Sequence, residues 1–114
     1  MVQNRNKFIE LFIGNMVNAI VHGILERAVS KEIIADKYRK ELTSSFEIAK
    51  RYRKKINPVN TPLSYKDMTY IKERIITRIK AELMTRISKG YINIDLELVE
   101  PLTDKALSDT KINL

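Results

Sequence analysis

The chain has 114 residues, 44% of them apolar and 31% charged, with no cysteine and a formal net charge of +7. That length fits one domain able to bury a core without covalent staples, and the composition is that of a folded globular protein rather than a disordered one. The missing cysteine removes disulfides, zinc–thiolate sites, iron–sulfur clusters and thiol nucleophiles, and it suits a reducing cytoplasm.

The first residues up to Lys7, followed by an apolar stretch, have the outline of a signal peptide. Glu10, Asn15, Asn18 and His22 interrupt that stretch, however, and no small-residue cleavage site follows. The reading is a soluble helix over residues 7–28, with no membrane partner. Ile9, Phe12, Ile13, Met16, Val17, Ile20 and Ile24 recur at the helical period, while Leu11, Val21, Leu25 and Val29 carry the apolar surface around most of the circumference. Only Asn15, Asn18, His22 and Glu26 form a continuous polar strip. A helix this apolar has to be covered on several sides, and two further helices of the same chain barely do that. The expectation is a homodimer with Phe12, Met16 and Ile20 in the interface.

No glycine or proline separates this helix from the next, but Ser30 can cap a new one, with Val29 and Ile34 in staple positions. Helix two is expected over residues 31–56, its inner stripe made of Ile34, Tyr38, Leu42, Ser45, Ala49, Tyr52 and Ile56, with Lys40, Lys50, Arg51 and Lys54 opposite. Asn57-Pro58-Val59-Asn60-Thr61-Pro62 cannot continue a helix and sets a loop. Helix three is expected over residues 64–89. Thr61-Pro62 fits a cap followed by a first-turn proline, Ser64 with Asp67 resembles a capping box, and Gly90 ends the helix. Its core stripe is Met68, Ile71, Ile75, Ile76, Ile79, Leu83 and Ile87. The short loop predicts that helices two and three are antiparallel neighbours.

After Gly90 the period changes. Ile92, Ile94, Leu96 and Leu98 alternate with Asn93, Asp95 and Glu97, which reads as an extended, β-like segment stopped by Pro101. Such a strand needs a partner. It either pairs with a second copy, adds to another protein's sheet, or lies over the helices, so these four residues join the expected interface. Residues 103–108 are expected to form one helical turn, and the last residues to fray. The predicted fold is all-α: an antiparallel bundle of three long helices over residues 1–90, with an acidic extended tail over 91–114, completed by dimerisation.

Residues that could carry chemistry lack partners. His22 stands alone with Asn18 and Glu26 one turn to either side, and asparagine is a poor metal ligand. The strip resembles a fragment of the helical HEPN ribonucleases, but their chemistry needs an arginine closely upstream of the histidine, and Arg5 is too distant. Glu97 and Glu100 resemble half of the paired-acid motif of all-α nucleotide pyrophosphatases, which places its acids on helices and uses a second acidic motif. The three glycines are isolated, so no phosphate-cradling loop exists. No catalytic residue, metal or cofactor is expected.

Charge is uneven. Residues 1–90 hold 19 Lys/Arg against 9 Asp/Glu, a net of +10, and residues 91–114 hold 2 against 5, a net of −3. Lys50-Arg51-Tyr52-Arg53-Lys54-Lys55 places five cations in six residues near a helix C-terminus. Such a run can contact successive phosphates or can simply complement the helix dipole. Arg74, Arg78 and Lys89 form a second basic ridge on helix three. Tyr52 lies in the apolar arc and is read as core. Arg74, Arg78, Ile79 and Lys80, with Leu102-Thr103 further on, resemble the helical portion of GINS replication subunits, but the chain is too short for a full subunit and no function is carried over. The expectation is a non-enzymatic binding or scaffold protein contacting DNA or RNA, or an assembly bound to it, through Lys40, Lys50, Arg51, Lys54, Lys55, Arg74, Arg78 and Lys89. The competing expectation is a protein–protein adaptor that uses helix one and the tail.

Overall fold

The computed structural model describes residues 2–58 and 61–112. Val59 and Asn60 of the predicted loop lie outside the described residues, as do Asn113 and Leu114, where the sequence predicts fraying. All secondary structure among the described residues is helical: α1 (Val2–Ala28), α2 (Glu32–Ile56), α3 (Tyr65–Ser88), a 3-10 turn (Leu96–Leu98) and α4 (Val99–Asp109).

Helix α1 is the centre, and α2, α3 and α4 all pack against it. Its partners on α2 run in the opposite sense. Phe8 stacks on Tyr52, Asn18 donates to Ser45 Oγ, and Glu26 accepts from Arg39 at 2.8 Å, so the two helices form an antiparallel hairpin. Partners on α3 run in the same sense, Arg5 with Asp67, Glu10 with Tyr70 and Gly14 beside Arg78, so α1 and α3 are parallel. Helices α2 and α3 are therefore not the direct neighbours the short loop predicts. Both pack on α1, because the most apolar helix buries the most surface by taking the middle.

The break before α2 falls where expected, but its cap is Lys31 with no side-chain hydrogen bond, and Ser30 caps nothing. Ser64 does cap α3, its Oγ accepting from the Asp67 N–H at 3.1 Å. The Asp67 carboxylate turns to Arg5 instead of closing a capping box. Gly90, at φ 100°, sits where α3 ends: its N–H donates to Ile87 O at 3.0 Å and the Tyr91 N–H donates to Arg86 O at 3.1 Å, a full Schellman turn.

The tail corrects the sequence reading most. Ile92, Ile94, Leu96 and Leu98 do not form a strand. Asn93 adopts a left-handed φ of 65°, which breaks the alternation, Leu96–Leu98 coil into a 3-10 turn, and α4 follows over eleven residues. Pro101 lies in the first turn of α4, where a missing N–H removes no intrahelical bond, so it does not act as a stop. Val99, Leu107 and Ile112 join α1 and α3 residues in one core. Helix α4 supplies the cover that sequence reasoning assigned to a second copy. Phe12 and Met16 are fully buried and Ile20 is 6% exposed, all within the single chain, so they face no partner. Each such side chain contributes about 1.5–3 kcal/mol of burial.

Candidate nucleic-acid interface

The basic run at the end of α2 divides in two. Arg53 is core, with only 2% of its surface exposed. It lies on the inner face because Ala49 and Ile56, both buried, flank it one turn away on either side. Its Nε donates to Thr110 O at 3.0 Å, Nη2 to Lys111 O at 3.1 Å, and Nη1 to the Asn57 Oδ1 at 2.6 Å and the Asn57 carbonyl at 3.3 Å. These acceptors cluster at the C-terminal ends of α2 and α4, where exposed carbonyls carry partial negative charge and stabilise a cation. Burial pushes the Arg53 pKa down, but a guanidinium still holds its charge at neutral pH.

Of the rest of the run, Arg51, Lys54 and Lys55 are exposed, and among the described residues none of these three has a carboxylate partner. The Lys55 ammonium lies 5.4 Å from the Phe8 ring centre and 5.8 Å from that of Tyr52. Tyr52 is only half-buried. It forms an offset stack with Phe8, the ring centres 6.1 Å apart, and with Ile48, Arg51, Lys54 and Lys55 it lines a shallow surface depression. It therefore belongs to the surface as much as to the core.

Two other predicted cations are engaged. Lys40 pairs with Asp36 at 3.2 Å. Lys50 pairs with Glu47 at 2.8 Å, a hydrogen bond that lowers the Glu47 pKa, and its ammonium stands 5.3 Å from the Phe46 ring centre. On α3, Arg74 is exposed and Arg78 half-buried, and neither meets a carboxylate among the described residues. Arg78 lies against Gly14 of α1, its nearest nitrogen 3.9 Å from where a β-carbon would stand. Asn18, one turn beyond Gly14 on the same strip of α1, bonds to Ser45 of α2. Helix register therefore sets Arg78 and Arg74 on either side of the level of Arg51 along the molecule, on the two helices that flank α1, with Lys55 further toward the α2 C-terminus. Lys89 caps the other end of α3, remote from the α2 C-terminus along a molecule 44 Å long.

The polar strip of α1 is divided between α2, which Asn18, His22 and Glu26 meet, and the backbone of α1 itself. The Asn15 Nδ2 donates to Leu11 O at 2.9 Å, His22 Nδ1 lies 2.7 Å from Asn18 O, and the His22 ring sits 5.7 Å from that of Tyr38. Glu97 and Glu100 are on helical turns and not on a strand, the first in the 3-10 turn and the second in the first turn of α4, and both are exposed. Among the described residues no three metal-ligating side chains gather.

The predicted tail interface scatters. Ile92 is 74% exposed and Leu96 37%, while Ile94 and Leu98 pack on the core. Sequence reasoning missed what Ile92 joins. Ile33, Ile34 and Tyr91 are also exposed, and Ile34, Tyr91 and Ile92 line a groove with Leu25 and Val29 where the α1–α2 and α3–α4 connections meet. The signal was the Ile33-Ile34 pair, which lies in the first turn of α2 just before the first buried residue of its inner face, Ala35.

A scan against protein-family models, a search of curated proteins and a search of solved structures each returned no match, so the likeness to GINS subunits gains no support.

Proposed function

We propose that this is a non-enzymatic helical binding or scaffold protein whose basic α2–α3 surface contacts nucleic acid or a nucleic-acid-bound assembly. The observation that carries the reading is a group of cations without an ion-pair partner among the described residues: Arg51, Lys54 and Lys55 at the end of α2, and Arg74 and Arg78 on α3. Cations already paired give up one ion pair to make another, whereas free ones neutralise phosphates at little cost and release the counterions condensed there. Arg53 adds nothing to this surface. Lys40 and Lys50 are secondary, and Lys89 is too distant to share one contact. Such a surface fixes position on a phosphate backbone without reading sequence. The test is electrophoretic mobility of DNA and of RNA with the protein over a salt series. Binding at low salt that weakens steeply as salt rises is expected; no binding at low salt, or binding indifferent to salt, contradicts the reading.

Self-association belongs to the proposal in a changed place. Helix α1 is long and apolar enough to cross a membrane, but 61% of that span is buried inside the fold, and we read it as the core helix of a cytoplasmic protein. The surface left for a second copy is the tip lined by Ile34, Tyr91 and Ile92, with Ile33 exposed next to Ile34 on α2, since exposed apolar side chains that share a groove mark contact sites. The same observation favours the second reading, a protein–protein adaptor whose partner docks on that tip. Light scattering separates the two. A dimer at micromolar concentration that Ile33→Lys converts to monomer supports self-association through the tip, and a wild-type monomer leaves the tip to another protein.

A further inference from the structure

We infer that the basic end of α2 is a site for single-stranded nucleic acid, on which a base stacks against the Phe8–Tyr52 aromatic pair while Arg51, Lys54 and Lys55 hold the flanking phosphates. The inference rests on the nucleic-acid reading above and narrows it to one form of nucleic acid and one site.

A phosphate-binding patch needs cations alone. Here the cations frame aromatic rings. Tyr52 is half-buried and stacked on Phe8, itself half-buried, with the ring centres 6.1 Å apart and the planes 27° from parallel. The depression around Tyr52 is lined by Ile48, Arg51, Lys54 and Lys55, an apolar floor within a basic rim. The Lys55 ammonium covers both rings, at 5.4 and 5.8 Å from their centres. A long, flexible lysine at a surface makes a cation–π contact weaker than base-on-aromatic stacking, so an incoming phosphate can draw it aside and free the ring for a base. A duplex turns its phosphates outward and keeps its bases stacked on one another, so it can use the cations but not the rings. An unpaired strand can use both, and it needs no particular sequence because every base has a flat face.

The experiment measures anisotropy of labelled single-stranded DNA, single-stranded RNA and duplex DNA of the same length against the full-length protein at low salt. Single strands are expected to bind about tenfold tighter than duplex. Tyr52→Leu is expected to remove most of that advantage while leaving duplex affinity unchanged, and Tyr52→Phe to keep it. Lys55→Gln weakens both forms, because phosphates are common to both. Equal affinity for single strands and duplex in the wild type overturns the inference while leaving the wider reading intact, and that comparison needs no variant to fold. Tyr52→Leu weakening both forms equally also overturns it. Absence of binding to all three overturns the inference together with the nucleic-acid reading. Tighter binding of RNA or of DNA, with the same Tyr52 dependence, assigns the strand chemistry.

Discussion

Arg53 and Lys54 are adjacent cations with unrelated roles, and the difference is one of angle. A helix turns far enough between neighbours that Arg53 faces the core while Lys54 faces water. From sequence, the five cations in six residues read as one basic cluster near a helix C-terminus. The clue was present in Ala49 and Ile56, the apolar residues one turn to either side of Arg53, but a charge on an apolar stripe is legible only when its acceptors are known. Here the acceptors are carbonyls of Thr110 and Lys111, more than fifty residues distant in sequence, just past the end of a helix the sequence read as a tail. Replacing Arg53 with methionine keeps the bulk but leaves those carbonyls and Asn57 without donors. The expected loss is about 3 kcal/mol of folding stability, measured by chemical denaturation. Lys54→Met is expected to change stability by less than about 0.5 kcal/mol. Equal effects at the two positions would mean that Arg53 does not hold the C-terminal end of α4.

At the scale of elements, three helices were legible and the fourth was not. The apolar stripe of α3 is the clearest case: Ile71, Ile75, Ile79 and Leu83 are fully buried, as the period predicts. Helix α4 was hidden because residues 91–98 alternate as a strand does, and because a proline in a helical first turn looks the same in sequence as a proline that ends a segment. The alternation had no partner strand to satisfy it, and backbone at Asn93 takes the left-handed region that asparagine tolerates better than most residues. This error spread. With α4 counted as tail, α1 was left short of cover, and the deficit was assigned to dimerisation. A chain ended after Gly90 tests the corrected account. It loses Val99, Leu107 and Ile112 from the core and re-exposes the α1 surface they cover. The expected result is loss of a sharp thermal transition, with binding of a hydrophobic dye; cooperative unfolding like that of the whole chain would show α4 to be dispensable.

For the whole molecule, the net charge of +7 and the excess of cations over residues 1–90 were legible at once, but not how much of that charge is free. Of the cations expected to meet phosphates, Lys40 and Lys50 are paired and Lys89 is at the far end, which leaves Arg51, Lys54, Lys55, Arg74 and Arg78 from two elements that only the tertiary fold relates to one another. The central claim is that these free cations contact phosphates. Its most direct test is the salt dependence of nucleic-acid affinity for the wild type beside the Arg51→Gln, Lys54→Gln, Lys55→Gln triple variant, with helicity checked by circular dichroism. Each lost phosphate contact lowers the slope of log affinity against log salt by about 0.7–0.9, so the triple variant should lose roughly two units of slope and bind more weakly at low salt. An unchanged slope in the folded variant would contradict the account.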